Sequence, residues 1–305
     1  MSRVVSTKTL SIAGLFPPLP TPFREDGALD LGALQALLRT LNDEPLAGYL
    51  LGGSNGEFTS LSWDERLQVV SAAREVVPRD RLLIGGSGAE STRDAIAMTK
   101  EMARRGADTV LVVTPSYFKG RMTPAALEAH FRAVADAAPI PVILYNVPSN
   151  TGVDLAAAPA IKLAQHPNII GMKDSSGDLQ KMALIIRETG PTFQVLARST
   201  GYILPALAIG AVGTIGALAN LAARPLDRLI TCVRTGALDE ARAIQLRLVE
   251  ANLAVTARFG VPGLKAAMEM IGRPAGVARG PLLPLEPEEK AALRAILARA
   301  ELLPA

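Results

Sequence analysis

A single cysteine, Cys232, stands in 305 residues, so no internal disulfide can form and a reducing compartment is expected. Histidine is nearly as scarce. His130 and His166 are far apart and in no ligand spacing, which argues against a histidine metal centre and against a Ser-His-Asp triad. Aromatic residues make up 4% of a chain that is 49% hydrophobic, so the core must be built from Ala, Leu, Val and Ile, as suits parallel strands covered by helices. A strong excess of one charge is missing as well: 32 basic against 29 acidic residues give +3, and no Lys/Arg run stands out. That balance points to small anionic ligands and not to nucleic acid. The first eleven residues are polar and lack the apolar stretch of a secretory signal, so a cytoplasmic location is expected.

Residues 199–223 carry no charge over 25 positions, long enough to span a bilayer. Pro205, Gly210, Gly213 and Gly216 interrupt them, however. The segment reads as a buried unit, helix 204–209 followed by strand 212–218, and no membrane partner is expected.

What is present is a repeated unit: an apolar run, a Gly/Ser/Thr/Pro turn, then a longer segment with helical spacing. Strands are expected at 13–16, 48–51, 82–84, 109–113, 141–144, around Lys173, at 193–196 and at 212–218. Helices are expected at 31–41, 63–77, 94–105, 127–137, 156–165, 179–188 and 224–235, with Ser62 and Glu65 forming a capping box. About eight strand-helix units is the number that closes a TIM (β/α)8 barrel. A doubly wound sheet usually shows a phosphate-binding fingerprint, and GGSGAES lacks the G-x-G-x-x-G spacing. The expectation is therefore an α/β fold: a catalytic barrel over 12–235 and a C-terminal helical extension over 236–305, with helices at 238–258, 264–271 and 288–302.

In such barrels the chemistry gathers at the C-terminal strand ends. The residues there are Ser54, Asn55, Ser87, Thr114, Tyr117, Tyr145, Asn146, Lys173, Ser175 and Arg198. Lys173 ends an apolar strand in NIIGMKDSSGD, and a buried strand is a costly place for an ammonium. Desolvation would lower its pKa, and a neutral amine is what attacks a ketone to form a Schiff base. With two phenols, several hydroxyls and amides, no acid pair and no metal ligands, the set suits imine chemistry on a small keto acid. Asp174 alternates with Lys173 and should point away from it. Glu57 reads as a cap for its loop and not as a general base.

At GGSNGEFTSL, TPSYFKGRM, ILYNVPSNTGVDL and IIGMKDSSGD the sequence resembles the pyruvate-dependent class I aldolases, the superfamily of dihydrodipicolinate synthase and N-acetylneuraminate lyase. Within it, GSNGEF, GSGAEST, VVTPSYFKGRM, VPSNTGVDL, QHPNIIGMKDSSGD, ALAN and AVTARFGVPGLK are similar to 4-hydroxy-2-oxoglutarate aldolase. The synthase usually carries a Thr-Thr pair where Ser54 and Asn55 stand, and an arginine where this chain has Asn150. The resemblance implies that Lys173 is the Schiff-base lysine and Tyr145 the proton-transferring phenol. Ser54 would link Tyr145 to Tyr117, a residue that reaches in from a neighbouring subunit. Gly53, Ser54 and Asn55 would hold the keto-acid carboxylate, Ser175 would meet the substrate beyond the imine, and Ile215 would line the floor. Arg198 departs from the aldolase, which has glycine there; it turns outward or offers a cation to a second carboxylate.

The expected reaction is cleavage of a 4-hydroxy-2-oxo acid, foremost 4-hydroxy-2-oxoglutarate, to pyruvate and glyoxylate. The alternative is condensation of pyruvate with aspartate semialdehyde, as in 4-hydroxy-tetrahydrodipicolinate synthase, or a related sugar-acid reaction. Neither a metal nor a cofactor is expected, since the imine replaces the class II metal. The resemblance also implies a homo-oligomer, a dimer of dimers. A keto-acid sensor without catalysis and a pyridoxal-phosphate barrel are the readings from other classes.

Overall fold

The computed structural model describes residues 10–303, so the N-terminal segment read above lies outside the described residues up to position 9. Among the described residues there are eight parallel strands: β1 (Gly14–Phe16), β2 (Gly48–Leu51), β3 (Leu82–Gly86), β4 (Thr109–Val113), β5 (Val142–Asn146), β6 (Ile169–Asp174), β7 (Gln194–Ala197) and β8 (Gly213–Ile215). They pair in the order β1-β8-β7-β6-β5-β4-β3-β2. At the remaining seam β1 is short because Pro17, Pro18 and Pro20 follow it and cannot donate to a ladder. Ala47 N–H still donates to Leu15 O at 3.0 Å, Leu50 to Pro17 O at 3.1 Å and Leu19 to Leu50 O at 2.9 Å, so a few bonds complete the TIM barrel. Where β8 meets β1, a Cβ on Gly213 would lie 2.0 Å from Gly14 O, a close approach open only to glycine.

Period-2 alternation sorts the strand residues into two cores. Ile84, Leu111, Ile143, Ile170, Leu196 and Ile215 fill the barrel interior, whereas Leu51, Leu83, Val112, Leu144 and Met172 pack outward against the helices. The helices start where their caps dictate. Asp30 accepts from Ala33 N ahead of Leu31–Leu41, which buries Leu34, Leu37, Leu38 and Leu41 on one face. Ser62 and Glu65 close the expected capping box at Trp63–Arg74, and Thr123 caps a helix with Pro124 in its first turn.

Three expectations are corrected. The strand expected over 212–218 stops at Ile215 and gives way to a 3-10 turn, Ala217–Asn220, in which Asn220 donates to Pro18 O and Ala217 O. The helix expected over 238–258 is α-helical over Leu238–Leu253 and then widens to a π turn, Ala254–Arg258, closed by Phe259 N–H on Ala254 O. The next helix begins at Gly260, because Pro262 sits in its first turn, where no amide donor is needed. The uncharged 199–223 segment does divide into helix Ile203–Ala208 and strand β8, and among the described residues no helix is long and apolar enough to cross a membrane. The C-terminal helices pack on the barrel: Gln245 accepts from Leu204 N and donates to Thr200 O, and Asn252 accepts from Thr200 Oγ1.

Candidate active site

Lys173 is the last inward residue of β6, and in register beside it on β5 stands Tyr145. Both are 3% exposed. Lys173 Nζ lies 4.3 Å from the centroid of the Tyr145 ring, and Tyr145 Oη is 3.1 Å from Ser54 Oγ. Among the described residues no carboxylate lies within ion-pair distance of the amine. Burial therefore pushes the Lys173 pKa below the ordinary lysine value, and the Arg198 guanidinium pushes it the same way, while Tyr145 opposes. For Tyr145 burial acts upward but is outweighed by Lys173, the Ser54 hydrogen bond and Arg198, and the phenol falls below its usual value.

These groups line one cavity of 140 Å³ with Asn55, Asn150, Arg198 and Ile215. That is smaller than the roughly 300–1,000 Å³ of pockets that enclose drug-sized ligands, and it suits a small acid. Arg198 turns into the mouth, Nη1 reaching Ser149 Oγ at 3.5 Å, which settles the two orientations left open by the sequence. The turn that presents Ser54 and Asn55 is bought by Gly52 at φ 66° and by Gly53, where a Cβ would meet Leu50 Cδ2 at 2.8 Å. Gly53 thus shapes the turn and does not itself line the cavity.

Several residues expected at the mouth are elsewhere. Asn146 is buried behind the barrel wall, donating to Asp154 and Asp174 and accepting from Leu155 N. Ser87 also faces outward and accepts from Thr99 Oγ1. Thr114 lines a neighbouring cavity with Arg66, Glu90 and Thr151. Alternation is the reason: each sits one residue past an inward position. Ser175 is buried with no partner for Oγ and does not line the cavity, so the expected contact with substrate is not made by its present placement. Tyr117 is 80% exposed beside Phe118, and its loop is held by Glu90, which accepts from Ser116 N, Ser116 Oγ and Tyr117 N.

Asp174 points outward as expected, accepting from Asn146 and Ser176 and pairing with Lys181 at 3.4 Å. Glu57 is a correction. It holds an uncommon left-handed backbone, φ 53°, that costs about 1 kcal/mol or more in a non-glycine residue, and its side chain makes no capping bond to the turn that follows it. The carboxylate is buried against Lys265 at 2.7 Å instead.

The sequence reading missed one wall entirely. Val255, Thr256, Gly260 and Val261, from the π turn and the helix after it, close the cavity from the C-terminal side. AVTARFGVPGLK stands out in the sequence as a motif, but no local pattern shows that it faces Lys173.

Comparisons with known proteins point to one family. The chain is 38% identical over 280 residues to a 4-hydroxy-tetrahydrodipicolinate synthase of an Exiguobacterium species, covering 92% of this chain and 95% of that one. It is 35% identical over 299 residues to the same-named enzyme of a Synechococcus species, covering 98% of each. A crystal structure of dihydrodipicolinate synthase from Bacillus anthracis superposes with a TM-score of 0.92 at 28% identity, covering 97% of this chain and all (100%) of that one. A prophage protein of the dihydrodipicolinic acid synthase family from E. coli K12, solved in complex with pyruvate, gives 0.90 at 30% identity over 96% of this chain and 100% of the other. The model of the dihydrodipicolinate synthetase family matches residues 11–300. With a lysine unopposed by any carboxylate at the end of β6 and a match along nearly its whole length, the chain belongs to the dihydrodipicolinate synthetase family of pyruvate-dependent carbon–carbon lyases.

Proposed function

We propose that the chain joins pyruvate to, or releases it from, an aldehyde bearing a carboxylate, through a Schiff base on Lys173. The observation that carries this is the amine itself, buried, unpaired and beside a phenol. Neutral Lys173 adds to C2 of pyruvate and loses water, giving an iminium. Loss of a C3 proton gives an enamine, whose C3 attacks the aldehyde carbon. Tyr145, with Ser54 at its hydroxyl, takes and returns the protons, and hydrolysis of the iminium releases product and frees the amine. In reverse, the iminium is the electron sink that lets C3–C4 break. Ser54 and Asn55, presented by the Gly52–Gly53 turn, hold the pyruvate carboxylate; Ile215 gives the reacting carbons an apolar floor. Arg198 receives the carboxylate of the aldehyde.

The names of the relatives support aspartate semialdehyde as the aldehyde, and with it 4-hydroxy-tetrahydrodipicolinate synthase chemistry, ahead of the 4-hydroxy-2-oxoglutarate expected foremost from the sequence. A second reading, glyoxylate as acceptor, is favoured by Asn150, an amide in the cavity wall where the synthase resemblance calls for arginine. Incubation with pyruvate and sodium borohydride is expected to add one reduced pyruvyl group to Lys173, read by peptide mass. Assay of aspartate semialdehyde and glyoxylate as acceptors then separates the two readings by their kcat/KM. The exposed Tyr117–Phe118 pair fits a homo-oligomer in which Tyr117 completes a neighbour's site. Light scattering together with Tyr117→Phe kinetics tests that, and a fully active monomer would refute it.

A further inference from the structure

Another buried lysine lies where the C-terminal helices meet the barrel. Lys265, on helix Gly260–Met270, places Nζ 2.7 Å from Glu57 Oε1, and each side chain is only 2–3% exposed. The same Nζ donates to Thr21 O at 2.7 Å and Val277 O at 2.5 Å. Glu57 Oε2 accepts from Arg279 N at 2.9 Å, and Thr21 Oγ1 donates to Gly56 O at 2.7 Å. Glu57 follows directly on the turn Ser54–Gly56, whose serine meets Tyr145. The turn thus leaves through a left-handed residue, and what holds that residue there is a charged pair reaching across to the C-terminal helix.

We propose that Glu57 and Lys265 are positioning residues: through their pair the C-terminal helix fixes the Ser54–Gly56 turn where it can receive a keto-acid carboxylate and hold the Tyr145 hydroxyl. Neither residue lines the cavity, so neither touches the substrate. The inference rests on the Schiff-base reading given above. It assigns the C-terminal helices a part in binding beyond covering the barrel.

Borohydride trapping of [14C]pyruvate, followed against pyruvate concentration, tests it on the full chain. Glu57→Gln keeps an acceptor for Arg279 N but removes the charge, and Lys265→Met removes the partner. Both are expected to raise half-saturating pyruvate about tenfold, since a displacement of about 1 Å at such a turn is costly, while trapping at saturation stays complete. If Lys265→Met does not fold, the neutral pair Glu57→Gln/Lys265→Gln carries the same expectation. The control is Arg228→Met, which cuts another tether of the C-terminal helices, the Arg228–Glu240 pair between helices Ala223–Thr235 and Leu238–Leu253, with neither residue lining the cavity, and which is expected to leave half-saturation unchanged. Half-saturation unchanged in the folded Glu57 or Lys265 variants, or raised equally by Arg228→Met, overturns the proposal. An unmodified wild type overturns it together with the Schiff-base reading, whereas a trapped wild type with wild-type-like variants removes the positioning role alone.

Discussion

Lys173 and Lys181 belong to consecutive elements, β6 and the helix after it, and both are buried, yet their surroundings are opposite. Lys181 Nζ sits 2.7 Å from Asp154 and 3.4 Å from Asp174, behind the barrel wall. Lys173, on the inner side of the same wall, faces a phenol and a guanidinium. The neighbouring register pairs repeat the contrast: Tyr145 and Lys173 face inward, Asn146 and Asp174 outward. An ammonium is stable where a carboxylate repays its desolvation, and it is drawn toward the neutral amine where none does. One strand end thus makes a structural lysine and a reactive one possible side by side.

Replacing each lysine probes that contrast. Lys173→Ala is expected to abolish borohydride trapping and to lower kcat/KM by at least about 10³-fold, because among the described residues no other lysine lines the cavity; residual trapping on this variant would place the nucleophile elsewhere. Tyr145→Phe keeps the ring beside the amine and removes the proton carrier. It is expected to lower kcat by about 10²–10⁴-fold with the imine still trapped, which single-turnover rates would check.

Lys181→Met acts on stability and not on chemistry. It leaves Asp174 buried without its cation, and a loss of about 3–5 kcal/mol in denaturant unfolding is expected, reduced by the bonds Asp174 keeps to Asn146 and Ser176. Lys173→Met is the mirror case and the smallest effect. The folded-state pKa of Lys173 lies below its unfolded value, so the unfolded chain binds more protons and stability rises with pH between the two. The cost of burying Lys173 is therefore fully present below the folded pKa and fades as pH approaches the unfolded value near 10.4. Lys173→Met is expected to be more stable than wild type at neutral pH, with the gap closing toward alkaline pH; a destabilised variant would show that the amine is held by something other than tolerated desolvation.

Much of this was legible in the sequence. Strand and helix alternation gave the barrel, since apolar period and capping residues act over a few neighbours, as at Asp30 and Ser62. Lys173 stood out because an ammonium in an apolar strand demands a reason, and alternation correctly sent Asp174 the other way. The same alternation turns Asn146 and Ser87 outward, since they lie one position past the inward face. Glu57 was misread because its partner, Lys265, lies over two hundred residues away, and no local pattern announces such a pair.

The sequence by itself determined the eight strand-helix units, the exclusion of an internal disulfide, and which strand ends offer an amine and a phenol, because these depend on composition and short-range spacing. Only the tertiary structure decided that Ser54 meets Tyr145, that Arg198 turns inward, and that Thr256 and Gly260 wall the cavity from the C-terminal helices. Those are contacts between distant segments, and they exist only once closure of the barrel and docking of the helices have brought the chain ends together.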